Sequence, residues 1–418
     1  MPYDARQHAA ASTEEYAYNQ VIPYIGSKRK LLDLIQIALR RCDLNEDAVF
    51  VDLFAGSGVV SRLAKTLGYK VIANDWEPYA RCINGCYIGQ NKPPEFASFG
   101  GYVSAIKLLN ELPGRVDWVT EHLCPLSDDD YDVSRDRMFY MRKNGMRIDA
   151  IRVQIEEWLQ GGAIDRAESD CLIAPLLYEA CYRSNTSGVF KGFHNGWGGK
   201  TGTALYRIAT DLKLRPSVFR DNGRANEVVC GDASEVARSL ASRRLDVVYI
   251  DPPYNQHPYG SNYHVLNSVA LWDKPLLSKR ITPGTKAAIR LDWRTERRSA
   301  YNSRSDAIGE YRSLLREINA RYVLTSYSTD GTIPLRELIE ANVALGRVSI
   351  DMKVYKRYRV SAQRYSKKPV NVEFVLTLDT ERASSACVDE LMRSVWETES
   401  QALRSYGDVT VAGSGDGI

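Results

Sequence analysis

Short apolar runs alternate with helical periodicities along most of the chain. Val49-Phe50-Val51 is followed by a glycine-rich turn, a helical stretch reaching Leu67, and a second apolar run at Val71-Ile72-Ala73. Gly68 stands where a helix C-cap is expected. This order is βαβ and predicts parallel strands joined by a right-handed crossover. Ahead of it, Leu31, Leu32, Ile35 and Leu39 recur at helical spacing. The alternation lapses between about Pro93 and Asn226. That stretch carries a Pro-Pro break, an acidic Asp128-Asp129-Asp130 cluster, two predicted helices near 147–160 and 165–183, and a Gly-rich segment. Strand-like runs resume at Glu227–Cys230, Leu245–Ile250, Tyr322–Ser326, Val348–Tyr355 and Val370–Leu378, which with the first two make seven. The pattern predicts an α/β fold: a doubly wound seven-stranded sheet interrupted by a large, mainly helical insertion. Residues 1–20 are polar and aperiodic, and read as a flexible arm. The sheet domain takes 21–94 and 226–380, the insertion 95–225, and a C-terminal helix and tail 381–418.

Composition narrows the class. Hydrophobic residues make up 44% of 418, enough for a sizeable core. The longest apolar runs, such as Val247-Val248-Tyr249-Ile250, suit buried strands and fall far short of the ~20 residues of a membrane helix. The polar N-terminus shows no secretory signal. Eight cysteines are scattered, the Cys82 and Cys86 pair matches no zinc or redox spacing, and the five histidines are dispersed. No metal is expected, and a reducing cytoplasm is the expected location. Lys plus Arg number 55 against 52 for Asp plus Glu, so a nucleic-acid binder of this charge must gather its cations on one face. Two stretches do so. One runs from Lys279-Arg280 through Lys286, Arg290, Arg294, Arg297 and Arg298 to Arg304. The other runs from Lys353 through Lys356, Arg357 and Arg359 to Arg364, Lys367 and Lys368, with tyrosines interleaved. A solvated strand with a charged hairpin explains the second stretch equally well.

The chemistry sits at strand ends. Asp52-Leu53-Phe54-Ala55-Gly56-Ser57-Gly58 follows a strand and opens a helix. Its glycines let backbone approach a ligand closely. A dinucleotide site would want a third glycine near position 61, where Ser61 stands. Asp52 suits a cationic methionine better than a phosphate. The next strand ends at Asn74-Asp75, where an acid can accept hydrogen bonds from ribose hydroxyls. Asp251-Pro252-Pro253-Tyr254 follows Leu245–Ile250, apolar at every position but Asp246, and open α/β sheets bind ligands beyond the carboxyl ends of their strands. The amine of a nucleobase is a poor nucleophile because its lone pair is delocalised into the ring. The Asp251 carboxylate and the Pro252 carbonyl can each accept one of its N–H bonds. Both prolines have fixed φ and no N–H, and Tyr254 offers a ring on which an extruded base can stack.

On these residues the chain resembles the DNA adenine methylase (Dam-type) family. Tyr24-Ile25-Gly26-Ser27-Lys28 is similar to its N-terminal Gly-Lys segment, with Ser27 replacing a second glycine. Phe54, Gly56 and Gly58 match its Phe-x-Gly-x-Gly loop, and Asp75 its ribose-binding acid. Gly231-Asp232 matches the pair near the cofactor's adenine, Asp251–Tyr254 the catalytic tetrapeptide, and Asn262-Tyr263 an Asn-Phe pair lining the cofactor pocket. The resemblance implies a Rossmann-like methyltransferase with S-adenosylmethionine as cofactor. It implies methyl transfer to the N6 amine of an adenine flipped out of double-stranded DNA, and it admits a companion restriction endonuclease. By the same resemblance, 21–94 and 226–380 become the catalytic domain. The match covers most of 21–94 and 226–378. The 95–225 insertion does not match the family's small recognition domain and is left as the target-recognition region.

Within the insertion, Arg183, Asn185 and Lys191, with Phe190, Phe193 and Trp197 nearby, are candidate DNA contacts, joined by Lys356, Arg357 and Arg364. A Gly-rich loop packed by its own aromatics is the competing reading. Gly199-Lys200-Thr201 lacks the first glycine of a phosphate loop, and Val133 replaces the glycine a calcium loop needs after the Asp128 cluster. His257 and His264 read as loop residues. Two alternatives stay open: cytosine-N4 in DNA or adenine-N6 in RNA as target, and an inactive DNA-binding protein on the same fold.

Overall fold

The computed structural model describes residues 12–23, 25–254, 256, 258–356, 370–384 and 387–412. Tyr24, His257, Arg357 and Arg364, along with most of the second basic stretch, lie outside the described residues. All seven expected strands form: β1 (Val49–Asp52), β2 (Lys70–Asn74), β3 (Glu227–Val229), β4 (Leu245–Ile250), β5 (Ala320–Ser328), β6 (Arg347–Lys356) and β7 (Val370–Asp379). They make a seven-stranded sheet. The chain divides into two compact units, one of 1–29, 55–232 and 257–298, the other of 30–54, 233–256 and 299–418.

The second unit carries β1, β4, β5, β7 and β6 in that order. β1 and β5 run parallel to β4, with Asp52 opposite Tyr249 and Ile250 opposite Thr325. The carboxyl ends of all three therefore share one edge, and Asp251 emerges there. β7 departs from the parallel pattern. It pairs antiparallel with both β5 and β6, placing Phe374 opposite Tyr327 and Glu373 opposite Ser328.

The first unit holds β2 and β3, parallel, with Asn74 opposite Val229. The helix Pro78–Tyr87 begins with proline in its first turn, where a missing N–H costs nothing. Its far end is closed by the buried Lys65, whose ammonium donates to the carbonyls of Tyr87, Ile88 and Gln90. In the insertion, the helix Arg166–Tyr182 starts at a capping box in which Asp165 and Glu168 each bond the other's backbone N–H. The helix Arg142–Gln160 packs against it.

The helices of 95–225 contribute to a core that extends beyond the insertion. Ile148, Ile151, Leu172 and Leu176 share one apolar cluster with Tyr79, Ile83 and Cys86 of the 78–87 helix and with Val265, Leu266 and Val269. Each such side chain contributes roughly 1.5–3 kcal/mol on burial, so this cluster ties the insertion's helices to the 78–87 helix. Of the expected arm over 1–20, residues 1–11 lie outside the described residues; in the rest, Thr13–Tyr18 is a helix capped by Ser12, and Tyr16 is buried. The Arg62 guanidinium, 3.5 Å from the Tyr87 ring centroid, donates to the carbonyl of Asn19 and holds this segment down.

Candidate active site

The first unit carries the glycine loop. Gly56 and Gly58 both adopt left-handed backbone, at φ 50° and 76°. A side chain at Gly58 would run into Asn84 Oδ1, so glycine is required there twice over, by conformation and by space. Asn84 in turn donates to the carbonyl of Gly56 at 3.2 Å. Asp75 accepts the N–H of Gly56 at 2.6 Å on one oxygen and that of Glu77 at 2.8 Å on the other. Asn74 clamps Gly231 through both its N–H (3.0 Å) and its carbonyl (3.1 Å), and Asp232 is half-buried beside it.

Glu77 is buried, and burial pushes its carboxyl up to about 7, against the opposing hydrogen bond from Asn267. Sequence reading passed over Glu77, Asn84 and Asn267. The only local signal was an acid two places beyond Asp75. Lys28 is buried and donates to the carbonyl of Gly26 at 3.2 Å. Tyr263, expected to line the cofactor pocket, is fully buried instead. Its hydroxyl accepts the N–H of Ile25 at 2.8 Å, and its ring packs 5.5 Å from that of Tyr79.

The second unit carries the tetrapeptide. Asp52, 1% exposed, accepts the N–H of Phe54 at 3.3 Å, and the Phe54 ring meets Tyr301 edge-on at 5.6 Å. Pro252 is buried, while Asp251, Pro253 and Tyr254 are half-buried. Tyr254 is fastened at both ends. Its carbonyl accepts the Thr332 hydroxyl at 2.7 Å, and its ring lies 4.9 Å from Tyr327 at 60°. Its phenol sits far above the ordinary range, through burial first and then through the charges of Asp251 and Glu373 and a hydrogen bond to Asp251. Tyr254 is therefore a neutral hydroxyl at any physiological pH. Glu373, on β7, is a carboxylate near this site that sequence reading did not single out.

Two of the residues expected to contact DNA are engaged within the protein. Asn185 is fully buried. It donates to the carbonyls of His194 and Gly196 and accepts the N–H of Gly198. Arg183 pairs with Glu179 at 3.1 Å and donates to the carbonyl of Arg207 at 3.0 Å. Asn185 holds the Gly-rich loop together, Arg183 ties the end of the 166–182 helix to Arg207, and Phe190 and Phe193 pack inward on Phe139. Lys191 stays exposed. His264, expected in a loop, heads the helix His264–Leu271. It is buried against the Phe190 carbonyl at 2.9 Å, and burial lowers its imidazole to about 4. In the first basic stretch, Arg290 is engaged by Asp273 and Asp292, and Lys279 by Glu121. Among the described residues, no helix is long and apolar enough to cross a membrane.

Residues 24–283 match the D12 class N6 adenine-specific DNA methyltransferase family. The chain is similar to the Type II methyltransferase M.NlaIII of Neisseria lactamica, at 31% identity over 84% of this chain and 96% of that one. It is 30% identical to the modification methylase LlaI of Lactococcus lactis subsp. lactis over 80% of its own length, but spans only about half (51%) of that protein. The Type II methyltransferase M.CviAII of Paramecium bursaria Chlorella virus 1 is 28% identical over 81% of this chain and 93% of its own. With the tetrapeptide and the glycine loop at strand ends in a sheet of the expected kind, the chain belongs to the D12 class of N6 adenine-specific DNA methyltransferases.

Proposed function

We propose that this enzyme methylates adenine N6 within a defined sequence of double-stranded DNA, with S-adenosylmethionine as methyl donor and Asp251-Pro252-Pro253-Tyr254 as the grip on the target amine. The observation that carries this reading is the tetrapeptide's place beyond β4, on the edge where β1 also ends with Asp52. The donor set fits the cofactor. Around the glycine loop, Asp75 and Glu77 offer acceptors to a ribose diol, and Asp52 offers one to a cation. No arginine or lysine of the 52–58 segment stands ready for a pyrophosphate. Gly26, Lys28, Phe54, Gly56, Gly58, Gly231 and Asp232 complete the assigned contacts, and Tyr263 supports them from behind.

S-adenosylmethionine supplies an electrophilic methyl on a sulfonium. The chain's own residues have to make the amine a nucleophile. Asp251 accepts one N–H and the Pro252 carbonyl the other, drawing nitrogen toward tetrahedral geometry with its lone pair released from the ring. The nitrogen becomes acidic only as the new bond forms, and the Asp251 carboxylate is the acceptor at hand. Tyr254 keeps its proton, so its hydroxyl steadies Asp251 without adding charge, and its ring offers the base a face. Adenine N6 is buried in the duplex, so the base must be flipped at a cost of a few kcal/mol. Lys191 and Lys356 are the candidate phosphate contacts that offset this. The relatives' names as modification methylases support a companion endonuclease whose sites this enzyme protects, acting on DNA in the cytoplasm.

Incubation with labelled methyl donor and duplex DNA, followed by digestion to nucleosides, tests the proposal. The expected product is N6-methyladenine at one sequence. N4-methylcytosine alone, or label in RNA and none in DNA, overturns it.

A further inference from the structure

Two short helices, Tyr259–Asn262 and His264–Leu271, follow the tetrapeptide in sequence and lie in the first unit. Tyr259 opens the first helix, Tyr263 is the break between the two, and Asn267 lies in the second. The Tyr263 hydroxyl accepts the Ile25 N–H at 2.8 Å, and the Tyr259 hydroxyl donates to the Ile25 carbonyl at 3.0 Å. Both backbone groups of one loop residue are thus taken up by two tyrosines whose rings stack at 6.1 Å and 25°. One turn further on, Asn267 accepts the Tyr79 N–H at 3.2 Å and donates to the Glu77 carboxyl. Glu77 itself leans on Asp75 through its backbone N–H. Gly26 adds an independent sign. Its φ is +77°, and a side chain there would come 3.1 Å from the Tyr259 hydroxyl.

We propose that Tyr259, Tyr263 and Asn267 are positioning residues that hold the Gly26–Lys28 segment and the Asp75–Glu77 turn in fixed relation, so that the cofactor meets a preformed site. The inference rests on the cofactor assignment given above. Core packing alone asks only for rings. Here the hydroxyls converge on the single residue before Gly26, an exposed loop position whose backbone water could otherwise serve. Fixing such a loop in advance removes an ordering cost from binding.

Tyr259→Phe and Tyr263→Phe keep the rings and delete the hydroxyls. In the full-length enzyme each is expected to raise the cofactor Kd and KM roughly fivefold, the worth of one such hydrogen bond. The double variant should raise them further, with kcat falling less, DNA affinity unchanged and faster hydrogen exchange at the Ile25 amide. Asp75→Ala, measured alongside, separates the two claims. If it binds cofactor as tightly as wild type, the cofactor assignment fails and this proposal falls with it. If Asp75→Ala loses binding while the double tyrosine variant retains wild-type Kd and KM, the positioning proposal alone is overturned. Should the double variant fail to fold, the two single variants decide the matter in the same way.

Discussion

The Gly56 backbone N–H donates to the Asp75 carboxylate at 2.6 Å, so the acid assigned to ribose also shapes the loop assigned to the cofactor. Asp75→Asn places an amide where two backbone donors converge, and one of them must lose its acceptor. A stability loss of about 1–3 kcal/mol is expected, together with weaker cofactor binding. Urea denaturation and cofactor titration read the two effects separately.

Asp251→Ala should cut methyl transfer by about 10²–10⁴-fold and leave cofactor affinity near wild type. Label incorporation into DNA, compared with calorimetric cofactor binding, checks both halves. Unchanged turnover would remove Asp251 from the chemistry.

Gly58→Ala forces an L-residue into left-handed backbone, costing about 1–2 kcal/mol, and drives a methyl into Asn84. Stability and cofactor affinity should fall together. Asn84→Ala relieves the overlap but not the backbone cost, so pairing it with Gly58→Ala should recover only part of the stability.

Glu77 gives a pH dependence whose sign is fixed. Its folded-state carboxyl is raised to about 7 from an ordinary 4.5, so the folded state holds a proton that the unfolded chain releases. Stability from this group is complete below about pH 4.5 and is lost as pH rises to about 7. Glu77→Gln should flatten melting temperature against pH across that window. A wild-type slope that survives in Glu77→Gln would place the titration elsewhere.

Asn185→Ala leaves the Gly198 N–H and the carbonyls of His194 and Gly196 without their partner. The expected result is about 1–3 kcal/mol of lost stability with no change in the salt dependence of DNA binding. A reduced salt slope in a fully folded Asn185→Ala would restore Asn185 as a DNA contact. Wild-type DNA affinity itself should fall steeply with salt.

The sequence by itself determined the elements and their order. Runs such as Leu245–Ile250, and turns such as Gly56–Gly58 and Asp251–Pro253, are dictated by neighbours a few positions apart, and a period of two or 3.6 is visible in the letters. For the same reason the tetrapeptide and the glycine loop were legible at once. Tertiary structure alone decided where polar side chains are spent. Asn185, in a segment rich in amides and cations, looks like a surface group until His194 and Gly198 fold back on it. Tyr263 looks like a pocket wall until Ile25, 238 positions earlier, finds its hydroxyl. The antiparallel set of β7, and the core shared by the insertion with the 78–87 helix, likewise depend on partners distant in sequence. Burial and hydrogen bonding between distant positions leave no periodic trace, so only the folded chain discloses them.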